Sequence, residues 1–211
     1  MEKICYDDST YIWKTKLGLT NNKSKILSEA NYVINNVKGA LDAYTYIYED
    51  VYDSDFDLLN AKTEKLLHKI CNIGATLCKE IYTKNHNKIT IGAWINVVRS
   101  KNPLQIYFRE EGRDKYHIHT EINAMYDMYE PKFTFVYYIQ MPNIMNNDDG
   151  VLYILGENNK EYWIRPEEDD LIIMPGELPH SPNNAPSADI DRIVLAGNIG
   201  FDYIKKTKTL F

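Results

Sequence analysis

The stretch Tyr116-His117-Ile118-His119-Thr120-Glu121 concentrates the groups in this chain best suited to chemistry. In a β-strand, side chains two apart share a face. His117, His119 and Glu121 then form one row of metal-competent groups, with Ile118 and Thr120 opposite. Only five histidines occur in 211 residues, so two at this spacing are informative. A third, His180, lies in Met174-Pro175-Gly176-Glu177-Leu178-Pro179-His180-Ser181-Pro182, and Arg192 then heads the apolar run Ile193-Val194-Leu195-Ala196. Two clustered ligands, a distant His and a strand Arg together suggest a mononuclear metal site that also holds an anionic co-substrate.

Two ligand sets compete. His119, Glu121 and His180 make the two-His-one-carboxylate arrangement common among non-haem iron oxygenases. His117, His119 and His180 make a three-His set, acceptable to iron and the commoner choice for catalytic zinc. The plain alternative is a pair of exposed strand histidines with an unrelated third. Arg192, if it points inward, is a buried charge that needs an anion to meet it, and its planar fork matches a carboxylate. An internal salt bridge to Asp189 or Asp191 would serve equally.

These residues must be positioned by the strands that carry them. Tyr11–Leu19 reads as a strand. From Ser24 the residues Ile26, Leu27, Ala30, Val33, Ile34 and Val37 recur at helical intervals, ending near Gly39. A second helix is expected over about Asp57–Thr83, with Gly74 able to bend or split it. Between them the Tyr-rich, acidic segment 44–53 reads as a loop or a substrate-facing lid. After residue 88 the pattern turns to β: Ile89–Val98, Gln105–Phe108, Tyr116–Glu121, Phe133–Met141, Val151–Leu155, Glu161–Ile164, Asp170–Met174 and Arg192–Gly197. Such short strands punctuated by Gly, Pro and Asn indicate a mostly β chain with N-terminal helices. The expected architecture is a double-stranded β-helix (jelly roll, cupin-like) with helices packed on one sheet. One domain is expected over 1–211, with 1–88 a mainly helical buttress and 89–204 the jelly-roll core.

Bulk properties narrow the functional classes. A net charge of -6 argues against a nucleic-acid surface, which needs clustered Lys and Arg. Cys5, Cys71 and Cys78 lack metal-pair spacing, and Cys71 and Cys78 would share a helix face as small buried hydrophobes. The acidic N-terminus has no apolar core, and no apolar run approaches the roughly 18–20 residues needed to span a bilayer. A cytoplasmic location is expected, with no membrane.

At this point the residues resemble a family: the 2-oxoglutarate- and Fe(II)-dependent oxygenases, in particular the small prolyl-hydroxylase-like members of bacteria and phages. Trp94-Ile95-Asn96-Val97 looks like the strand preceding the site, and Gly112 to His119 like the Gly-then-HxH segment. Thr134-Phe135-Val136-Tyr137-Tyr138-Ile139 resembles the Gly-Val-Tyr-Tyr-Leu strand. Asp170-Leu171-Ile172-Ile173-Met174-Pro175 through His180 is similar to the Gly-Asp-Leu…Pro…His segment, and Arg192 to Asn198 to the Arg-Ile-Ser strand. Coverage is roughly residues 91–203.

The resemblance implies Fe(II) as cofactor, with His117, His119 and His180 as ligands and Glu121 as the competing one. It implies 2-oxoglutarate as co-substrate, held by Arg192, with Tyr138 beside it. Molecular oxygen then hydroxylates a small-molecule or peptidyl substrate, releasing succinate and carbon dioxide. Trp94, Tyr107, Tyr138 and the loop Asn123–Glu130 would wall the pocket. Two departures stand out: a longer loop after the His pair, and His119 where most members carry the acidic ligand. Rival readings are a cupin-type three-His metalloenzyme without 2-oxoglutarate, or a non-catalytic jelly-roll binding module.

Overall fold

Runs of β-branched and aromatic residues build the long strands of this protein. Its computed structural model describes residues 1–36, 45–48, 66–82, 89–98, 116–119, 131–142, 150–182 and 189–201. The elements in chain order are β1 (Glu2–Cys5), β2 (Tyr11–Lys16), α1 (Lys23–Asn36), β3 (Thr45–Tyr48), α2 (Leu66–Ile81) and β4 (Ile89–Val98). They continue with β5 (Pro131–Gln140), β6 (Leu152–Leu155), β7 (Glu161–Ile164), β8 (Asp170–Pro175), β9 (His180–Pro182) and β10 (Arg192–Phe201). A seven-stranded sheet runs β1-β2-β8-β5-β10-β4-β3, and a three-stranded sheet runs β7-β6-β9. The ladders within both sheets are antiparallel.

The strands at the centre of the large sheet carry apolar residues on both faces because both faces are covered. On one face, Ile95 and Val97 of β4, Phe135 and Tyr137 of β5, Ile173 of β8 and Leu195 of β10 share a buried cluster with helical residues. Those are Ile26 and Ala30 of α1 and Leu67, Ile70, Cys71, Ala75 and Cys78 of α2. On the other, Tyr138, Ile172, Met174 and Val194 pack with Leu152, Ile154 and Ile164 of the small sheet. Two apolar layers therefore flank one sheet, and the layer between the sheets holds the candidate site.

Gly74 does not split α2, which is continuous from Leu66 to Ile81. A Cβ on it would sit 3.4 Å from Phe135 Cγ, so its small size suits close approach of helix and sheet. The earlier part of the expected helix lies outside the described residues, as does the expected strand 105–108. Of the Tyr-rich segment, 45–48 forms the edge strand β3 and the rest lies outside the described residues. Together β1, β2 and β3 give the first 88 residues three strands in the large sheet, beside their helices. Strand β1 carried no readable signal because it is an edge of mostly exposed polar residues. The strand expected from Tyr116 is, over the described 116–119, a single bridge between His117 and His180. β10 runs on to Phe201, four residues past Gly197. Among the described residues, no helix is long and apolar enough to cross a membrane.

Candidate metal centre between the sheets

Backbone pairing, not side-chain packing, brings the distant histidines together. The His117 amide donates to the His180 carbonyl at 3.0 Å, and the His180 amide donates back to the His117 carbonyl at 3.0 Å. The His119 amide donates to the Gly176 carbonyl at 2.7 Å. His180 is anchored on its other side too, since β9 pairs with β6 through Ile154 and His180. His117 and His119 both line the cavity, with His117 at its exposed mouth, His119 half-buried and His180 buried, and Ile118 between the first two is exposed.

The three imidazoles converge. Ring centroids lie 4.4 Å apart for His117 and His180, 5.0 Å for His117 and His119, and 5.1 Å for His119 and His180. One potential ligand atom from each lies within 4.8 Å of the others. Nδ1 of His180 lies 2.9 Å from the Leu178 carbonyl oxygen. A carbonyl only accepts, so Nδ1 carries the proton and Nε2 keeps its lone pair for the cluster.

The rest of the cavity is built by register on the large sheet. Val194 pairs with Asn96 on β4 and Tyr138 on β5, and Ala196 with Trp94 and Val136. These residues, with Thr134, Leu152, Pro182 and Arg192, line the same cavity as the histidines. The cavity is open to solvent, and the space inside it together with its mouth is about 510 Å³. The Trp94 ring lies 5.8 Å from that of His119, and Thr134 Oγ1 donates to Asn198 Oδ1 at 3.0 Å.

No protein-family model and no curated protein matches the sequence. Solved structures do. A prolyl-4-hydroxylase from Pseudomonas putida superposes with a TM-score of 0.54 at 13% identity, over 90% of this chain and 91% of that one. A 2OG-Fe(II) oxygenase family oxidoreductase from Burkholderia pseudomallei gives 0.50 at 10% identity, over 90% and 84%. A Trichoplax adhaerens prolyl hydroxylase, solved with a hypoxia inducible factor oxygen degradation domain peptide fragment, gives 0.51 at 16% identity, over 90% and 83%. The chain has the fold of the 2-oxoglutarate oxygenases. At these identities the likeness speaks for the fold alone.

Within this oxygenase fold, the sequence-derived residues His117, His119, His180, Arg192, Tyr138 and Trp94 all reach one cavity. Glu121, Tyr107 and the loop 123–130 lie outside the described residues. Asn96 and Thr134 escaped the sequence reading. Their signal was parity: each sits two residues from a lining residue in an otherwise apolar strand, as Asn96 does from Trp94.

Electrostatics favours neutral ligands. Burial lowers the pKa of His117. Burial, then the neighbouring His117, brings His119 down to about 4. The same two influences outweigh the Leu178 hydrogen bond and bring His180 down to about 3. Three imidazoles converging on one point could hold a divalent borderline metal. Arg192 is 3% exposed; desolvation lowers its pKa, and the field of Tyr138 opposes that. Tyr138 is pushed up, mainly by burial.

Proposed function

We propose that the chain is a non-haem Fe(II)- and 2-oxoglutarate-dependent dioxygenase that hydroxylates a C–H bond of a small-molecule or peptidyl substrate. The observation that carries this reading is the meeting of three neutral imidazoles and a buried Arg192 in one cavity between the sheets. In this reading the chain works as one jelly-roll domain, its helices buttressing the large sheet from outside.

His117, His119 and His180 would hold the metal on one side of the cavity, leaving the opposite side open for ligands. With iron bound, the chemistry supplied is oxidative decarboxylation: one oxygen atom of O₂ enters succinate, carbon dioxide leaves, and the other atom is inserted into the substrate C–H bond. Arg192 would grip the far carboxylate of the co-substrate through its planar fork. The Tyr138 hydroxyl, kept protonated by burial, can donate to the same anion. Val136, Leu152, Val194 and Ala196 keep the cavity wall apolar, which limits water around the reacting groups. Trp94, beside His119, is placed to pack against whatever enters.

An anaerobic Fe(II) titration with and without 2-oxoglutarate tests this. A weak visible charge-transfer band is expected only with both present, and its absence from intact, folded protein would remove the proposal. A three-His metalloenzyme without 2-oxoglutarate is the second reading, favoured by His119 standing where an acidic ligand is usual. It predicts metal binding without succinate formation.

A further inference from the structure

The imidazoles of the candidate centre are held in unlike ways. His180 is buried, and its ring is turned by the hydrogen bond from Nδ1 to the Leu178 carbonyl at 2.9 Å. The backbone of His119 is fixed by the hydrogen bond from its amide to the Gly176 carbonyl at 2.7 Å, yet among the described residues no hydrogen bond reaches its ring. Other rings meet it instead. His117 stands edge-on to it at 81°, while His180 and Trp94 lie nearer to parallel, at 24° and 34°, with centroids 5.1 Å and 5.8 Å away. Of these three, only Trp94 is not itself a candidate ligand.

Trp94 is placed by strand register, independently of the histidines. It stands on β4 opposite Ala196 of β10 and Ile47 of β3. Its distance from the His119 ring falls within the range of about 4.5–7 Å over which aromatic pairs interact. An imidazole that ligates a divalent ion gives up electron density and becomes cation-like, and indole offers the most electron-rich face among the side-chain rings. The contact therefore strengthens when the ion binds, so it contributes to metal affinity as well as to packing.

We propose that Trp94 is the positioning residue of His119, its ring aiming the imidazole at the ion where a hydrogen bond aims that of His180. This role rests on the metal centre of the proposed function and deepens it.

The test is equilibrium dialysis of Co²⁺ against the full natural chain, Trp94→Phe and Trp94→Leu, with far-UV circular dichroism of each. Losing a partner that orients a ligand costs about 10–100-fold in metal affinity. Trp94→Leu should therefore weaken the Kd for Co²⁺ by about tenfold or more, and Trp94→Phe, which keeps a ring with a weaker face, by less. The visible d–d absorption at saturating Co²⁺ should also shift in Trp94→Leu, reporting a displaced ligand. A merely structural role would lower the melting temperature without moving that band. Trp94→Met replaces the Leu variant should it fail to fold. An unchanged Kd in Trp94→Leu, an equal loss in both variants, or an unshifted band would each overturn the proposal. Succinate formation from 2-oxoglutarate with Fe(II) is assayed separately in the natural chain. Graded Co²⁺ affinity without succinate rejects the oxygenase reading alone, succinate with ungraded affinity rejects this inference alone, and no Co²⁺ binding by the natural chain removes both.

Discussion

His117 and His180 exchange both backbone hydrogen bonds, each at 3.0 Å, so the candidate metal ligands are joined by main chain before any ion arrives. That bridge does not need the imidazoles. His117→Ala and His180→Ala should therefore keep the fold, with an unchanged far-UV circular dichroism spectrum. His180 is the more costly loss because it is buried, and truncating it should destabilise by about 1–3 kcal/mol. Both variants should lose Co²⁺ affinity by about a hundredfold or more, since even partners that only support a ligand are worth about 10–100-fold. Dialysis alongside a thermal melt separates the two effects.

Acid should weaken the metal-free protein at unusually mild pH. The folded-state values of His119 (about 4) and His180 (about 3) lie below the ordinary 6.5. Below 6.5 the unfolded chain therefore takes up protons that the folded chain refuses, so stability falls as pH falls through this window. The folded histidines begin to titrate only at the lower end. Carboxylates contribute little above pH 5, which leaves that interval to the histidines. Urea denaturation at pH 7 and pH 5.5 should show lower stability at 5.5, and equal midpoints would contradict the assignment. Over the same interval folded His119 and His180 stay neutral, so protons do not compete with Co²⁺ for those two ligands.

Two glycines should respond oppositely to alanine. A Cβ on Gly156 would lie 2.6 Å from Tyr162 Cε2, 2.7 Å from Asp7 Oδ2 and 2.8 Å from Thr10 Oγ1. These groups tie the β1–β2 turn to the small sheet: Asp7 accepts from the Thr10 amide at 2.7 Å and from the Tyr162 hydroxyl at 3.2 Å, and Tyr6 stacks on Tyr162 at 4.9 Å. Gly156→Ala should cost about 1–3 kcal/mol by overpacking. At Gly74 the nearest atom would stand at 3.4 Å, so helix propensity decides. Gly74→Ala should be neutral or stabilising by up to about 1 kcal/mol. Chemical denaturation of both variants checks the pair.

Asp169 should be a structural weak point away from the cavity. Its buried carboxylate accepts from the Gly18 amide at 2.8 Å, the Leu19 amide at 2.9 Å and the Tyr137 hydroxyl at 3.0 Å. Asp169→Ala strands these donors and should cost about 3 kcal/mol or more. Asp169→Asn should cost less, because Asn tolerates the positive φ of 70° and still offers one oxygen. The expected order in denaturation is natural chain, Asn, then Ala.

The strands that carry the site were legible in the sequence because they lie at the centre of the large sheet. Burial on both faces makes β4, β5, β8 and β10 long apolar runs, and their inward polar or aromatic residues stand out against that background. The short strand β9 was not legible. Pro179 and Pro182 flank and end it, and proline offers no amide to a ladder, so its pairing depends wholly on β6 and on the segment at His117.

Local chemistry set the sequence-level result: a His-x-His pair, a later His and an Arg heading an apolar strand name the kinds of group present, and period-two alternation says which share a face. Convergence was decided only in three dimensions. Nothing in the spacing of His117 and His180 says that their backbones pair, because that contact is made by antiparallel main chain between segments distant in sequence. Likewise, the absence of acidic groups among the described lining residues follows from strand register, which is settled by the packing of one sheet against the other.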